Sequence, residues 1–346
     1  MARSLRIEKR NGVYHVINRG NYRQDLFINE GAHQAFERCL FEACEKCGWV
    51  LEGFCVMTNH FHLVIRTPEG NLVYGMKWLQ STFANRYHHF RKVHGKLFQG
   101  RYKSLIVEEE SYLGALLHYV HLNPVRAGLV DVAGLGEYRW SSYWYLQNPA
   151  KRPHFMDVSG CLEAAGGLSD GSSGHKQYAD YLAWLAADSP AQKELMFDRM
   201  CSGWAIGSKD FKKGLLEQES ERLKAMTKDG GEASDIAQAH YDSRDLREAN
   251  ELKWELCLGR GLAELGKTTI SIREDLKSAE WKVLLAAAMK RYTSATNVWI
   301  TKKLNMGIPQ AVSQNVGKFN AAGGEKDERY KKLIIRITDP HLNDTI

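Results

Sequence analysis

The stretch "VMTNHFHLVIRTP", residues 56–68, places two histidines two positions apart in an apolar run typical of a β-strand. Residues i and i+2 of a strand project from the same face. His60 and His62 therefore point to one side, whereas Phe61 and Leu63 point to the other side and can join a core. Two imidazoles on one face are a pair of ligands for one divalent metal ion. The alternative is that they are ordinary surface or hydrogen-bonded histidines.

Strand and helix patterns alternate over the first 150 residues. Four strands are predicted, at residues 12–20, 49–57, 60–67 and 102–110. Three helices are predicted, at residues 30–48, 72–92 and 111–122. Ser111 is the expected N-cap of the last helix, and Pro124 is expected to set its end. This order predicts an α+β fold, in which one antiparallel sheet carries its helices on one face.

The remainder of the chain is predicted to be all-α. Gly and Ser are frequent towards the end of residues 151–176, which favours a linker between residues 1–150 and the helical remainder. Residues 177–292 are predicted to form a helical region. Residues 293–346 are predicted to form a separate domain.

Charge is distributed unevenly along the 346 residues, whose formal net charge is +6. Residues 1–150 carry 18 Lys and Arg against 13 Asp and Glu, and residues 251–346 carry 16 against 11. Residues 151–250 are acidic, with 13 against 17. Two basic segments around an acidic one suit a polyanion that is contacted at two places, although mild basicity is common in proteins without such a partner.

No run of about 18 apolar residues is present, so no membrane span is expected. The basic N-terminus has no apolar run behind it and does not resemble a secretory signal. The seven cysteines are an odd number and are expected to be reduced thiols of a cytoplasmic protein. A protein bound to DNA there would be associated with the nucleoid.

The helix predicted at residues 111–122 offers a third metal ligand and a reacting group. At about 100° per residue, its apolar stripe consists of Leu113, Leu116, Leu117 and Val120. Tyr119 and Asn123 lie beside this stripe, one turn apart. An amide oxygen suits a hard divalent ion, and a phenol suits a nucleophile. Tyr112 shares the face of Tyr119, so the angle alone does not choose between the two tyrosines.

Five blocks of sequence together resemble the REP-associated tyrosine transposases, relatives of the single-tyrosine insertion-sequence transposases of the HUH nuclease type. They are "VYHVINRGN" (13–21), "MTNHFHLVI" (57–65), "LFQGRYKSLIVE" (97–108), "YVHLNPVRAGLV" (119–130) and "WSSY" (140–143). The resemblance covers roughly residues 1–150. It implies a metal-dependent transposase and endonuclease that acts on single-stranded DNA and recognises short palindromic hairpins.

The resemblance also implies individual roles. His60 and His62 would be ligands of Mg²⁺ or Mn²⁺, and Tyr119 would be the nucleophile. Asn123 matches the position of a third, amide ligand, where some relatives have Gln. The implied product is a 5′-phosphotyrosine with a free 3′-hydroxyl. Such an ester conserves the energy of the phosphodiester bond, so the same site could rejoin strands.

A single DNA strand is held by cationic side chains along its backbone and by aromatic side chains stacked on its bases. Cationic and aromatic residues interleave in "RYHHFRKVHGKLFQGRYK" (86–103). The predicted DNA contacts of the N-terminal domain are Arg19, Arg23, Arg86, Arg91, Lys92, Lys96, Arg101, Lys103 and Arg126. A solvated basic helix and loop is the alternative for any one of them.

The segment "ATNVWITKKLNMGIPQAVSQNVGKF" (295–319) resembles the helix-turn-helix at the end of bacterial replication initiators. One helix is expected to end near Asn305 and the next to be opened by Pro309. The predicted apolar seam is Val298, Ile300, Leu304, Ile308, Val312 and Val316. The residues predicted to face duplex DNA are Gln310, Ser313, Gln314 and Lys318. A small bundle that only packs is the alternative.

Two further motifs are expected to be coincidental. "GLAELGKT" (261–268) satisfies a phosphate-loop pattern but follows a charged helical stretch rather than a buried strand. "CEKC" (44–47) lacks a second cysteine pair for zinc. The rival to an active enzyme is a non-catalytic DNA-binding regulator derived from a transposase. Little flexible chain precedes Tyr119, which favours a monomer that acts in cis.

Overall fold

The protein is described by a computed structural model that covers residues 7–227 and 247–338. It divides into two compact units. The N-terminal unit extends to Ser208, and the C-terminal unit begins at Lys209. Part of the helical region predicted at residues 177–292, namely residues 228–246, lies outside the described residues.

The N-terminal unit is built on a sheet with the strand order β2-β3-β1-β4-β5. The strands are β1 (Gly12–Arg19), β2 (Val50–Val56), β3 (His60–Thr67), β4 (Lys103–Val107) and β5 (Ala205–Ile206). The first four pair antiparallel, as predicted, and β5 pairs parallel with β4. The α+β class is therefore confirmed, with a mixed sheet that gains a fifth strand from far along the chain.

The helices of this unit agree with the predicted pattern and continue beyond it. They are α1 (Glu30–Cys47), α2 (Leu72–Arg91), α3 (Glu109–Arg126), α4 (Ser142–Gln147), α5 (Ser159–Ala164), α6 (Ser172–Ala187) and α7 (Ser189–Glu194). Helix α1 ends at Gly48, whose φ of 61° closes the helix in the left-handed conformation that glycine adopts without strain.

The prediction that the helices lie on one face holds for α1 and α2 but is wrong for α3. Phe36 of α1 packs against Phe61, with a centroid distance of 4.7 Å, on the face opposite to His60 and His62. Helix α3 lies on the histidine face, where the ring of Tyr119 is 5.8 Å from that of His62. The predicted stripe of α3 is apolar enough to cover this second face of the sheet.

A glycine in β2 allows α3 to approach the sheet closely. A Cβ atom at Gly53 would lie only 2.7 Å from Leu117 Cδ2 of α3. Leu113, Leu116, Leu117 and Val120 are all buried, as their spacing predicts. The packing of this helix therefore sets the height of Tyr119 above the sheet.

Helix α3 is longer than predicted at both ends. It begins after Glu108 rather than at Ser111, and it continues through Pro124 to Arg126. Proline removes one N–H donor but does not stop a helix whose last turn is otherwise bonded, and Ala127 N–H donates to the Asn123 carbonyl. Asn123 is consequently a helical residue rather than part of a terminal turn.

Residues 151–176 form part of the compact N-terminal unit instead of a free linker. Leu51 of the edge strand β2 donates its N–H to the Phe155 carbonyl and accepts a hydrogen bond from Asp157 N–H. Helix α5 packs so tightly on α3 that a Cβ at Gly114 would lie 2.1 Å from the Ala164 Cβ. The segment thus covers backbone groups that an edge strand would otherwise expose.

The C-terminal unit is helical throughout its described part. Its helices are α8 (Lys209–Thr227), α9 (Arg247–Glu264), α10 (Thr269–Glu274), α11 (Glu280–Tyr292), α12 (Asn297–Leu304), α13 (Pro309–Ala321) and α14 (Glu328–Thr338). The phosphate-loop pattern begins inside α9, so it does not follow a strand. None of the helices in the described ranges is long and apolar enough to cross a membrane.

The predicted pair of helices at residues 295–319 is present as α12 and α13. Asn305 ends α12 with a φ of 52°, and Pro309 opens α13. Of the predicted seam, Ile300, Leu304, Val312 and Val316 are buried.

Val298 and Ile308 do not belong to this seam, because they are 65% and 60% exposed. Val298 stands in the first turn of α12, and Ile308 is the N-cap residue of α13. Both precede the part of their helix that packs, which explains why the predicted seam is too long.

A buried polar network holds α3 to α4 and α6. His118 and His121 each form a 2.9 Å hydrogen bond from Nδ1 to the Tyr178 hydroxyl, and His121 Nε2 forms another to Ser142 Oγ. Burial lowers the pKa of His118 to about 4 and that of His121 to about 3. Both rings are therefore neutral in the folded protein near pH 7.

The network predicts a loss of stability in mild acid. In the unfolded chain these histidines take up protons near pH 6.5, whereas in the folded chain they stay neutral until about pH 4 or below. The free energy of unfolding should be unaffected above pH 6.5 and should fall by about 1.4 kcal/mol per pH unit for each such histidine below it.

Denaturant unfolding at pH 7.5, 6.5, 5.5 and 4.5 measures this slope. A variant with His118→Gln and His121→Gln should show a shallower decline than the wild-type chain. An equally steep decline in both proteins would show that these two histidines do not cause it.

Candidate active site

The register between β1 and β3 gathers the site on one face of the sheet. Arg19 lies opposite His60, and Ile17 lies opposite His62. Residues opposite each other in an antiparallel pair point to the same side. Alternation along β1 then adds His15 to this face. The two predicted metal ligands therefore stand beside a third histidine that sequence reasoning did not single out.

Both predicted ligands use Nδ1 for a hydrogen bond within the protein. His60 Nδ1 lies 2.7 Å from Asn59 Oδ1, and His62 Nδ1 lies 2.9 Å from His15 Nε2. Burial lowers the pKa of His60, and it lowers that of His62 well below the ordinary value. Both rings are therefore neutral near pH 7, which is the form of imidazole that binds metals.

Tyr119 lies on the same side of the sheet as the histidines. Its ring contacts the rings of His62 and of His15, with centroid distances of 5.8 and 6.2 Å. The Arg126 guanidinium lies 4.8 Å from its centroid. Tyr112, the other tyrosine of this helix, is not among the residues that line the site cavity. The structure thus brings Tyr119, and not Tyr112, to the histidine pair.

The phenol of Tyr119 is 8% exposed, and its hydroxyl lies 3.1 Å from the Cys201 thiol. Burial is the main reason why the pKa of Tyr119 is raised above its usual range, and the thiol adds to this effect. Arg126 and the Asn123 amide act in the opposite direction but do not outweigh burial. In this arrangement the phenol is protonated at neutral pH.

Asn123 lies one turn beyond Tyr119 and lines the same cavity. Its Nδ2 donates a 3.0 Å hydrogen bond to the Tyr119 carbonyl. This bond orients the amide along α3, whose continuation through Pro124 keeps Asn123 in helical geometry. His60, His62, Tyr119 and Asn123 are thus assembled around one space.

That space is an open cavity of about 730 Å³. Its lining residues are Ile17, Asn18, Arg19, Arg23, Asn59, His60, His62, Gln99, Arg101, Lys103, Tyr119, Asn123 and Cys201. Four of them are cations, and none is an acid. The cavity is therefore suited to an anion, because the field of clustered charges is strongest inside a concave surface.

The predicted DNA-contact residues separate into two groups. Arg19, Arg23, Arg101 and Lys103 line the cavity, and Arg126 contacts the Tyr119 ring. The others, Arg86, Arg91, Lys92 and Lys96, do not line it. Arg86 instead forms a bidentate ion pair with Glu42 of α1, at 2.8 and 2.9 Å.

A segment from beyond residue 150 completes the site. The Met200 carbonyl lies 2.8 Å from His15 Nδ1, and the ring of Phe197 packs edge-on against Tyr119 at 5.5 Å. Strand β5 anchors this segment, since Ile106 N–H donates to the Trp204 carbonyl and Glu108 N–H to that of Ile206. No local sequence signal links these residues to the histidine motif.

Two groups of side chains offer donor atoms of the kind that divalent metal ions bind. The cavity offers His60 and His62 through Nε2, together with the amide of Asn123. A second group consists of His15, His62 and Cys201, whose candidate ligand atoms lie within 4.8 Å of one another. In that group, however, His15 Nε2 and His62 Nδ1 are already joined by a hydrogen bond. The hydrogen bonding therefore favours the cavity group.

Comparison with known proteins finds similarity in the N-terminal part of the chain. Residues 8–123 match the model of the family described as "Transposase IS200 like". A curated protein of Haemophilus influenzae named "Putative REP-associated tyrosine transposase" is 25% identical over 117 residues, which are 31% of this chain and 64% of that relative. The chain thus matches less than two thirds of the relative's length.

One similar solved structure is described as "Structure of the REP associates tyrosine transposase bound to a REP hairpin". It is 14% identical, with a TM-score of 0.38 over 46% of this chain and 93% of that one. These values are too low to bear on function. The family match and the curated relative agree with the resemblance in the five sequence blocks. Residues 8–123 of this chain are therefore similar to the IS200-like transposases.

Proposed function

We propose that the chain is a metal-dependent DNA transposase and endonuclease that cleaves and rejoins single-stranded or hairpin DNA through Tyr119. The observation that carries this proposal is the assembly of His60, His62 and Tyr119 around one cationic cavity. The two neutral imidazoles can hold a metal ion, and the phenol can attack a phosphodiester.

The side chains have separate roles in this proposal. His60, His62 and Asn123 would hold Mg²⁺ or Mn²⁺, which when bound neutralises the scissile phosphate and polarises its P–O bonds. Arg19 and Arg101 would hold the neighbouring phosphates of the strand. Tyr119 would attack, and the contact with Arg126 stabilises its phenolate form.

The reaction exchanges one phosphate ester for another. Tyr119 Oη forms a bond to phosphorus while the bond from phosphorus to the 3′ oxygen breaks. The phenolic proton is lost, and the departing 3′ oxygen gains one. In the reverse direction a 3′-hydroxyl attacks the 5′-phosphotyrosine and releases the phenol, which rejoins the strands without an external energy source.

We infer that the reaction needs only one copy of the chain. Tyr119 and the histidine pair belong to the same molecule and lie in ring contact. This arrangement supports a monomer that acts in cis. The proposed substrate would place the protein with the nucleoid in the cytoplasm.

Formation of a covalent adduct tests the proposal. The full chain would be incubated with a 5′-labelled and 3′-labelled set of palindromic hairpin oligonucleotides with single-stranded flanks, with Mn²⁺ or Mg²⁺. We expect a protein–DNA band that survives SDS, is lost with EDTA and is reduced at least about 10³-fold in Tyr119→Phe, which lacks the attacking oxygen.

Tyr112→Phe is the matched control, since it removes a hydroxyl from the same helix away from the cavity. Loss of the adduct in Tyr112→Phe but not in Tyr119→Phe would show that the nucleophile is misassigned. Tight hairpin binding with no adduct in the wild-type chain would favour the non-catalytic regulator.

The cavity cations predict how strongly DNA binding depends on salt. Arg23→Ala and Arg101→Ala should each weaken hairpin binding and reduce the slope of log K against log salt by about one, because each removes one phosphate contact. Arg86→Ala should leave both quantities unchanged, since Arg86 is paired with Glu42 outside the cavity. Fluorescence anisotropy between 50 and 300 mM NaCl, a range that spans roughly the regime where counterion release governs binding, measures both.

We further propose that α12 and α13 bind duplex DNA as a helix-turn-helix. The favouring observation is the face of α13: Gln310, Ser313, Gln314 and Lys318 are exposed, while Val312 and Val316 are buried between them. The Ser313 hydroxyl accepts a 2.7 Å hydrogen bond from Asn297 Nδ2, which ties the two helices together.

The exposed face of α13 predicts a second binding activity that is independent of Tyr119. Gln314→Ala and Lys318→Ala should weaken duplex binding by about 1–3 kcal/mol each if they contact bases or phosphates, and they should leave adduct formation on hairpin DNA intact. Lys332→Ala, an exposed lysine of α14, is the control. If all three variants bind duplex DNA as tightly as the wild-type chain, α12 and α13 only pack against each other and do not bind DNA.

A further inference from the structure

We propose that His15 is a positioning residue that fixes the proton of His62 on Nδ1 and so keeps His62 Nε2 available as a metal ligand. The inference rests on the proposed function only where it makes His62 Nε2 a metal ligand. The placement of protons on His15 and His62 is a property of the metal-free protein.

The direction of the first hydrogen bond follows from the chemistry of the acceptor. His15 Nδ1 lies 2.8 Å from the Met200 carbonyl, and a carbonyl oxygen can only accept. His15 Nδ1 therefore carries a proton. The ring is fully buried, and its two nitrogens hydrogen-bond to a carbonyl and to another imidazole rather than to a carboxylate. A buried ring in such surroundings is neutral, so its Nε2 carries a lone pair and no proton.

The second hydrogen bond then has only one possible direction. His15 Nε2 lies 2.9 Å from His62 Nδ1 and must accept, so His62 Nδ1 donates. In the neutral His62 ring the single proton is thereby used, and Nε2 keeps its lone pair. The relay runs from the Met200 carbonyl through His15 to His62, and each step determines the next.

The relay matters because a free neutral histidine prefers the opposite arrangement, with its proton on Nε2. A His62 ring in that form would present an N–H to the cavity and could not bind a cation there. Hydrogen-bond partners on the far nitrogen of a ligating histidine commonly account for 10–100-fold in metal affinity. His15 is that partner, since its Nε2 lies 2.9 Å from His62 Nδ1.

The two rings are also held rigidly. They stack with centroids 5.1 Å apart and an interplanar angle of 23°. His15 stands in the central strand β1, which pairs with both β3 and β4. The acceptor for His15 comes from residue 200, so the segment beyond the family match takes part in organising the histidine motif.

One rival arrangement uses the same atoms differently. A soft cation could bind His15 Nε2, His62 Nδ1 and Cys201 Sγ together, in which case the hydrogen bond between the two rings would not exist. The two arrangements assign opposite roles to His62 Nδ1, which is a protonated donor in one and a metal ligand in the other. Nitrogen spectroscopy distinguishes them.

The test uses the full chain with ¹⁵N-labelled histidine and no metal. Long-range ¹H–¹⁵N spectra identify which nitrogen of His62 carries the proton, with His62→Asn used to assign the signal. We expect His62 to be protonated on Nδ1 in the wild-type chain and mainly on Nε2 in His15→Leu. His15→Gln, whose amide supplies one donor and one acceptor, should retain the wild-type arrangement.

Titration with Mn²⁺, followed by the loss of its free EPR signal, provides the second readout. His15→Leu should raise the dissociation constant 10–100-fold, and His15→Gln should raise it much less. His33→Gln, which changes a buried histidine outside the cavity, controls for general effects of altering the interior. Thermal melts identify any variant that fails to fold. If His15→Leu does not fold, His15→Gln is compared with the wild-type chain instead.

The outcomes separate this inference from the proposed function. A wild-type His62 protonated on Nε2, or a His15→Leu protein with unchanged His62 signals and unchanged Mn²⁺ affinity, overturns the role of His15. Retention of the Nδ1 proton without Mn²⁺ binding upholds the relay but contradicts the metal-dependent site. Loss of the His62 Nδ1 proton on addition of Zn²⁺, with a shift of His15 Nε2, would place the metal ion between the two rings and would overturn the assignment of His62 Nε2 as the ligand.

Discussion

The pairing of β1 with β3 is the constraint on which the site depends. It places Arg19 directly opposite His60. It places His15 diagonally across from His62, on the same face of the sheet. A shift of one residue in this register would turn the polar side chains of one strand to the opposite face of the sheet, where α1 and α2 pack. The apolar residues that alternate with the histidines prevent that shift, because Phe61 and Leu63 are fully buried on the helical side. The core and the site are therefore specified by the same alternation.

Helix α3 joins the chemistry to the core. Its apolar stripe packs on the sheet, and Gly53 permits the close approach. The opposite side of the helix is buried as well, by α5, α6 and the network of His118, His121 and Tyr178. Residues 116–124 of α3 are all buried, and buried polar groups are stable only where they are hydrogen-bonded. The position of Tyr119 is thus fixed by many contacts that take no part in the proposed reaction.

Opposing requirements meet at the phenol. Burial and the Cys201 thiol favour its neutral form, while Arg126 and Asn123 favour the phenolate. The same cavity contains four cations and no acid. A bound polyanion would complete the charge balance that the protein alone leaves open. Charges that are already oriented before the ligand arrives bind an anion strongly, because the site needs no further rearrangement.

Much of this organisation was predictable from local sequence. Alternation placed His60 and His62 on one face, and helical spacing identified the buried stripe of α3 and the two helices at residues 295–319. Alternation in "VYHVINRG" could also have placed His15 on that face, because His15 and Arg19 have the same parity. The excess of cations near the motif indicated an anion. These features depend on periods of two and 3.6 residues and on composition, which a linear sequence displays directly.

Tertiary structure alone decided the rest. The contact of the Tyr119 ring with His15 and His62, the continuation of α3 through Pro124, and the separation of Arg23 and Arg101 from Arg86 depend on what packs against each side chain. The contributions of Met200 and Cys201 depend on a return of the chain after more than a hundred residues. Hydrogen-bond partners at such separation leave no periodic trace in the sequence, since they are selected by the fold and not by neighbours along the chain.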